Sequence, residues 1–144
     1  MTCDLAKFEW ALIDVFDGSR VRVLSREELL ALGERKIQKQ KLKSIQTLRV
    51  IKSLWPLDEI FLNPTDVQNI RSNKHHYFLI WRQGLKVLYR KSDSLEFQFL
   101  NLLSQGTSIE KLCHQIKTRQ PMTKSAQQVF EYLNKWLAEE ILWI

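Results

Sequence analysis

The chain has 144 residues, 44% of them hydrophobic and five of them Trp, which is enough for one domain with a real core and argues against disorder. Lys and Arg number 22 against 16 Asp and Glu, a formal charge of +6, so an acidic peptide, protein or nucleic acid is a natural partner class. No apolar run reaches the roughly 18 residues of a membrane span, and the N-terminus lacks the basic and apolar regions of a signal peptide, so a cytoplasmic location is expected.

Residues 4–16, DLAKFEWALIDVF, place Leu5, Phe8, Leu12 and Phe16 at helical spacing, with Ala11, Ile13 and Val15 widening the stripe. Gly18 is suited to a left-handed cap for that helix. Ser25 and Glu28 form a capping-box pattern that opens a short helix through about Leu32, and Gly33 closes it. The first 33 residues therefore read as a helical segment.

Residues 34–46 follow as a basic linker, either a surface helix or mobile chain. From residue 34 to 52 there are seven Lys or Arg against Glu34 alone. Thr47 to Ser53 is rich in β-branched residues and reads as a strand that must stop near Trp55, because Pro56 cannot donate to a ladder. Asp58 to Phe61 fits a helical turn, and the polar stretch from Asn63 to Lys74 fits a surface loop.

The clearest architecture is YFLIWRQGLKVLYRK, residues 77–91. Tyr77 to Trp81 is apolar on both alternating faces, as a central strand is. Leu85 to Lys91 alternates Leu85, Val87 and Tyr89 with Lys86, Leu88 and Arg90, as a half-exposed edge strand does. Gln83-Gly84 supplies the turn, with the positive φ assigned to Gly84.

Three helices complete the chain. Asp93 and Glu96 fit a cap before the stripe Leu95, Phe99, Leu102 and Leu103, which ends at Gln105-Gly106. Thr107 and Glu110 repeat the cap, and Ile109, Leu112, Cys113 and Ile116 supply the next buried face. The pair around Gly106 reads as a helix-turn-helix. A last helix from about Lys124 to Leu142 would bury Val129, Phe130, Leu133, Trp136, Leu137 and Ile141. The expected fold is α+β: a winged-helix-like domain over 47–144 with a small antiparallel three-stranded sheet, a helix-turn-helix and flanking helices, forming one compact unit with the N-terminal segment.

No catalytic set emerges. His75 and His76 are neighbours and would point apart in a strand, with no Cys or carboxylate at ligand spacing, so no metal is expected. Cys113 and His114 lie about 100° apart on a helix and make no nucleophile and base pair. Both Cys3 and Cys113 read as reduced thiols. The adjacent carboxylates Glu27-Glu28, Asp58-Glu59 and Glu139-Glu140 suit helix ends better than acid-base work. With four Gly there is little material for a phosphate-binding loop, and no cofactor is expected. The chain reads as a non-enzyme. A winged helix can bind DNA, and the candidate contacts are Lys111, Gln115, Lys117 and Arg119 on the second helix of the pair, with Lys41 and Lys43 of the basic linker. Glu110 opposes them, and most of the positive charge lies elsewhere.

Several words in order, FEWALIDVFD (8–17), LSREELLAL (24–32), LRVIKSLWPLDEIF (48–61), FLIWRQGLKVLYRK (78–91), FLNLLSQGTSIEKLC (99–113) and WLAEEIL (136–142), resemble the C-terminal region of the HvfC/BufC-type proteins. That family is long labelled as containing a putative DNA-binding domain. Full-length members carry a further N-terminal helical domain, which the resemblance does not cover here. Family members accompany iron-dependent oxidative enzymes that modify Cys residues of ribosomally made peptides. The resemblance implies a non-catalytic accessory role, with the precursor's leader peptide held by a winged-helix-like domain and presented to the enzyme. Capture by an open sheet edge would place the site on residues 85–91, with Lys86, Arg90 and Lys91 attracting acidic leader residues and Leu88 making an apolar contact. The same charges would also protect an edge from aggregation. A third reading is self-association through the first helix and the terminal Trp143 and Ile144.

Overall fold

The structure is a computed structural model describing residues 1–19, 21–65, 73–117 and 122–144, with only the backbone described for Glu34, Lys117, Met122 and Thr123. In chain order its elements are α1 (Thr2–Asp17), α2 (Arg26–Ala31), α3 (Glu34–Lys39), β1 (Lys41–Ser44), β2 (Arg49–Ser53), α4 (Leu57–Leu62) and β3 (His76–Gln83). Then come β4 (Lys86–Ser92), α5 (Ser94–Gln105), β5 (Thr107–Ser108), α6 (Ile109–Lys117), α7 (Met122–Ala138) and β6 (Leu142–Trp143). The fold is α+β, with seven helices and two antiparallel three-stranded sheets among the described residues. No described helix is long and apolar enough to cross a membrane.

The chain divides into two compact units, Met1–Ser19 with Thr47–Phe97, and Arg20–Gln46 with Gln98–Ile144. The expected division into 1–33, 34–46 and 47–144 cuts across both. The hairpin of β3 and β4 falls in the first unit and α6 in the second.

In the first unit the strands run β2-β3-β4, with Ile51 opposite Phe78 and Leu79 opposite Arg90. Phe78, Leu79, Ile80 and Trp81 are all buried, so β3 is central because both of its faces are apolar. Gln83 pairs with Lys86, which makes the turn residues Gly84 and Leu85 rather than Gln83 and Gly84. Gly84 has φ 62° and Leu85 a negative φ, the sign pattern of a II′ turn, whose twist suits a hairpin.

Helix α1 packs on one face of this sheet. Phe8, Ala11 and Val15 join Leu57, Phe78 and Ile80 in the core. The Phe8 ring meets Phe61, Phe78 and Tyr89 edge-on at centroid distances of 5.8, 5.6 and 5.4 Å. The buried face is thus rotated from the expected stripe, and Phe16 is exposed. The small Ala11 lets α1 approach the sheet, and so the face that carries it wins. Asp14 accepts from Arg49 and Asp4 from Ser53, fastening α1 to both ends of β2. Gly18 is not the left-handed cap expected of it, because its φ of −62° and ψ of 148° are extended. A Cβ there would lie 2.4 Å from the Thr47 methyl, so glycine is required by close approach. Most of the loop expected at 63–74 lies outside the described residues.

In the second unit the strands run β5-β1-β6, with Leu42 opposite Thr107 and Lys43 opposite Trp143. Residues 34–46 are therefore not a linker: they supply α3 and then β1, whose Leu42 is fully buried. The Ser25–Glu28 capping box forms on α2. At Gly106, φ 79°, α5 ends as expected. The cap of α6 falls on Ser108, whose Oγ accepts the Lys111 N–H at 3.3 Å, because Thr107 is buried in β5. Helix α7 stops at Ala138, short of the expected Leu142. It closes with Ile141 N–H on Trp136 O and Glu140 N–H on Leu137 O, a Schellman pattern with Glu140 at φ 58°. That turn returns Leu142-Trp143 to β1. Around Trp136, Tyr132 stacks at 5.5 Å and Phe99 meets Tyr132 edge-on at 5.8 Å.

Candidate functional site

β4 is the terminal strand of its sheet, and among the described residues it is paired only with β3. Of the residues expected to draw a partner to it, Lys86 is exposed beside the turn and Leu88 is half-buried opposite Trp81. Leu85, at the tip of the turn, is exposed.

Arg90 and Lys91 are placed differently from that expectation. The Arg90 guanidinium donates to both oxygens of Glu96, at 2.6 and 2.9 Å, and lies over the Trp81 ring at 5.9 Å. Glu96 is 1% exposed and also accepts from Ser92 Oγ at 2.8 Å. A buried carboxylate needs such partners, so Arg90 serves the fold. The Lys91 ammonium reaches Glu59 at 2.9 Å and Asp58 at 3.1 Å, both on α4. Its hydrogen bond with Glu59 raises the Lys91 pKa above the ordinary value and lowers that of Glu59. These two charges fasten β4 to α5 and α4. Lys86 and Lys91 are both exposed, and Lys86 is the cation of the predicted set that forms no ion pair among the described residues.

The alternative DNA contacts divide as well. Lys111 and Gln115 are exposed on α6, four residues apart, with Glu110 exposed beside them. Lys117 ends α6 with its side chain outside the described residues, and Arg119 lies outside them altogether. Lys41 is exposed on β1, whereas Lys43 lies over the Trp143 ring at 5.3 Å. Trp143 in turn donates from Nε1 to Ser44 O at 3.1 Å, so the terminal Trp is tied back to β1. Among the described residues no group of three His, Cys, Asp or Glu is placed to hold a metal.

Comparison with family models, with curated proteins and with solved structures finds no match for this chain.

The sequence reading overlooked one concave surface, in the second unit. Phe130, expected in the core, is 59% exposed on α7. It lines a groove of about 330 Å³ with Gln38 of α3, Ile109, Glu110 and Cys113 of α6, and Ala126 of α7. A helical-period count does not separate Phe130 from Val129, because either can join the apolar stripe of α7. The exposed Leu30 of α2, followed by Ile37 of α3, is the sequence signal that could have pointed there.

Proposed function

We propose that this chain is a non-catalytic recognition module that takes an extended segment of a peptide or protein partner onto the outer edge of β4. The observation that carries this reading is the pairing of β4 on one side only among the described residues. A seven-residue strand joined to β3 by a tight turn at its start and fastened by Arg90 and Lys91 near its end keeps a row of backbone donors and acceptors in register for an incoming strand. Preorganisation of that kind lowers the ordering cost of binding. Lys86 then favours an acidic residue near the start of the strand, and Leu88 gives an apolar contact. This fits the resemblance to HvfC/BufC-type proteins, in which the partner is the leader peptide of a ribosomally made precursor and the second partner an iron-dependent oxidative enzyme. A winged-helix-like arrangement and a cytoplasmic setting belong to the same reading.

Titrating the isotope-labelled chain with an acidic, extended leader-like peptide tests it by NMR. The amides of 86–92 are expected to shift most, and Lys86→Glu to weaken binding about three- to tenfold. Shifts that leave β4 untouched sink the reading.

The exposed pair Lys111 and Gln115 on one face of α6 favours a second reading, a DNA-binding winged-helix module. Gel shifts across a salt series distinguish the two. Sequence-dependent DNA binding that survives physiological salt supports this second reading, and binding that vanishes with salt reflects charge alone.

A further inference from the structure

The groove beside Phe130 shares lining residues with two further depressions of the second unit. A smaller one, about 70 Å³, shares Ile109 and Phe130 with it and is walled by Leu30 and Ile37. A third, about 430 Å³, shares Gln38 with it and is lined by Arg35, Lys36, Lys39 and Lys41. The surface thus runs from an apolar trough into a basic end.

Three observations select the occupant. The first is apolar surface left in water: Phe130 and Leu30 are 59% and 65% exposed, Phe130 and the buried Ile109 line both apolar depressions, and Leu30 lines the smaller one. Contiguous apolar surface of that kind marks an interaction site. The second concerns the walls. α2, α3, α6 and α7 are helices and present side chains rather than an open strand edge, so they offer an extended peptide no ladder to join. A helix, which satisfies its own backbone, loses nothing by lying there, and its i, i+3, i+4 and i+7 side chains match a row of depressions. The third is charge. Arg35, Lys36, Lys39 and Lys41 form no ion pair among the described residues, and the one described acid lining the apolar depressions is Glu110. Complementarity therefore calls for acidic residues on the flank of the incoming helix, and like charges would reject a basic one.

We propose that the α2, α3, α6 and α7 surface docks an acidic amphipathic helix of a partner protein, with its apolar stripe over Ile109 and Phe130 and its acidic flank against α3. This surface shares no residue with β4, and the proposal stands apart from the edge-strand reading. It gives the module a second point of attachment with different chemistry.

The test uses the full chain and a fluorescein-labelled helical peptide of about five turns, with Leu at i, i+3, i+4 and i+7 and Glu and Gln elsewhere. Anisotropy is expected to show saturable binding, weakened at least about tenfold by Phe130→Ser and likewise by Lys36→Glu with Lys39→Glu. Phe130 is exposed, so its variant is expected to keep the wild-type circular dichroism. Lys86→Glu is expected to leave this binding unchanged, which separates it from capture at β4. Several results overturn the proposal: equal binding of the same peptide with Lys replacing Glu, no binding, or indifference to Phe130→Ser. Light scattering that shows self-association abolished by Phe130→Ser assigns the groove to a second copy instead. Displacement of the peptide by duplex DNA, with Phe130 immaterial to the DNA affinity, assigns the basic end to nucleic acid.

Discussion

The two three-stranded sheets are built in opposite ways. In the first unit, β2, β3 and β4 have five, eight and seven residues, and β3 and β4 are joined by a two-residue turn. In the second, four-residue β1 pairs with two-residue β5 and β6, which lie some 65 and 100 residues further along the chain. One is a local meander with a repeating side-chain pattern. The other is a set of short contacts that exist only because α5, α6 and α7 bring their flanking residues together. Sheets of the first kind advertise themselves in sequence, and here the sheet keeps a long edge strand that is paired on one side among the described residues. The second kind holds a helical unit closed and presents helix surfaces instead.

The largest expected effect sharpens this contrast at the end of β4. Arg90→Met leaves the Glu96 carboxylate buried without its bidentate partner and should cost about 3–5 kcal/mol in urea unfolding. Adding Glu96→Leu should recover most of that loss, because the penalty comes from the orphaned charge. A single-variant loss below about 1 kcal/mol would break the claim that Arg90 fastens the strand.

A smaller effect tests the closure of the second unit. Glu140 holds a left-handed conformation at the Schellman turn that sends β6 back to β1, a position that favours glycine. Glu140→Gly should raise stability by about 0.5–1 kcal/mol by thermal or chemical unfolding. No gain would mean that the turn is already relaxed by its surroundings.

The smallest effect is the pH dependence of the pair between Lys91 and Glu59. Glu59 is depressed below the ordinary 4.5, so its contribution is present above that value and is lost as pH falls through the lower folded one. Lys91 is raised above 10.5, so its contribution is complete below 10.5 and is lost as pH rises through the higher folded value. The difference in melting temperature between wild type and Lys91→Met should therefore be flat between those limits and shrink beyond each. A difference that grows in acid would contradict the assignment.

Legibility followed the same divide. The two-sided apolarity of Tyr77 to Trp81, the Ser25–Glu28 box and the stop at Gly106 are local signals, and each lies where local chemistry puts it. For the candidate site, the positions of Lys86 and Leu88 on the edge were readable from alternation. The roles of Arg90 and Lys91 were not, since they depend on Glu96 being buried and on α4 reaching the end of β4. The groove was hidden because Phe130 reads as core on any helical wheel.

From sequence alone came the mixed α+β content, the central strand with its hairpin, and the concentration of cations in residues 34–52. These follow from side-chain periods and turn chemistry that act within a few residues. Only the tertiary structure decided which face of α1 is buried, that residues 34–46 enter a second sheet, and which cations remain at the surface. Each of those depends on partners distant along the chain, and no pattern within a single segment records where such partners will be.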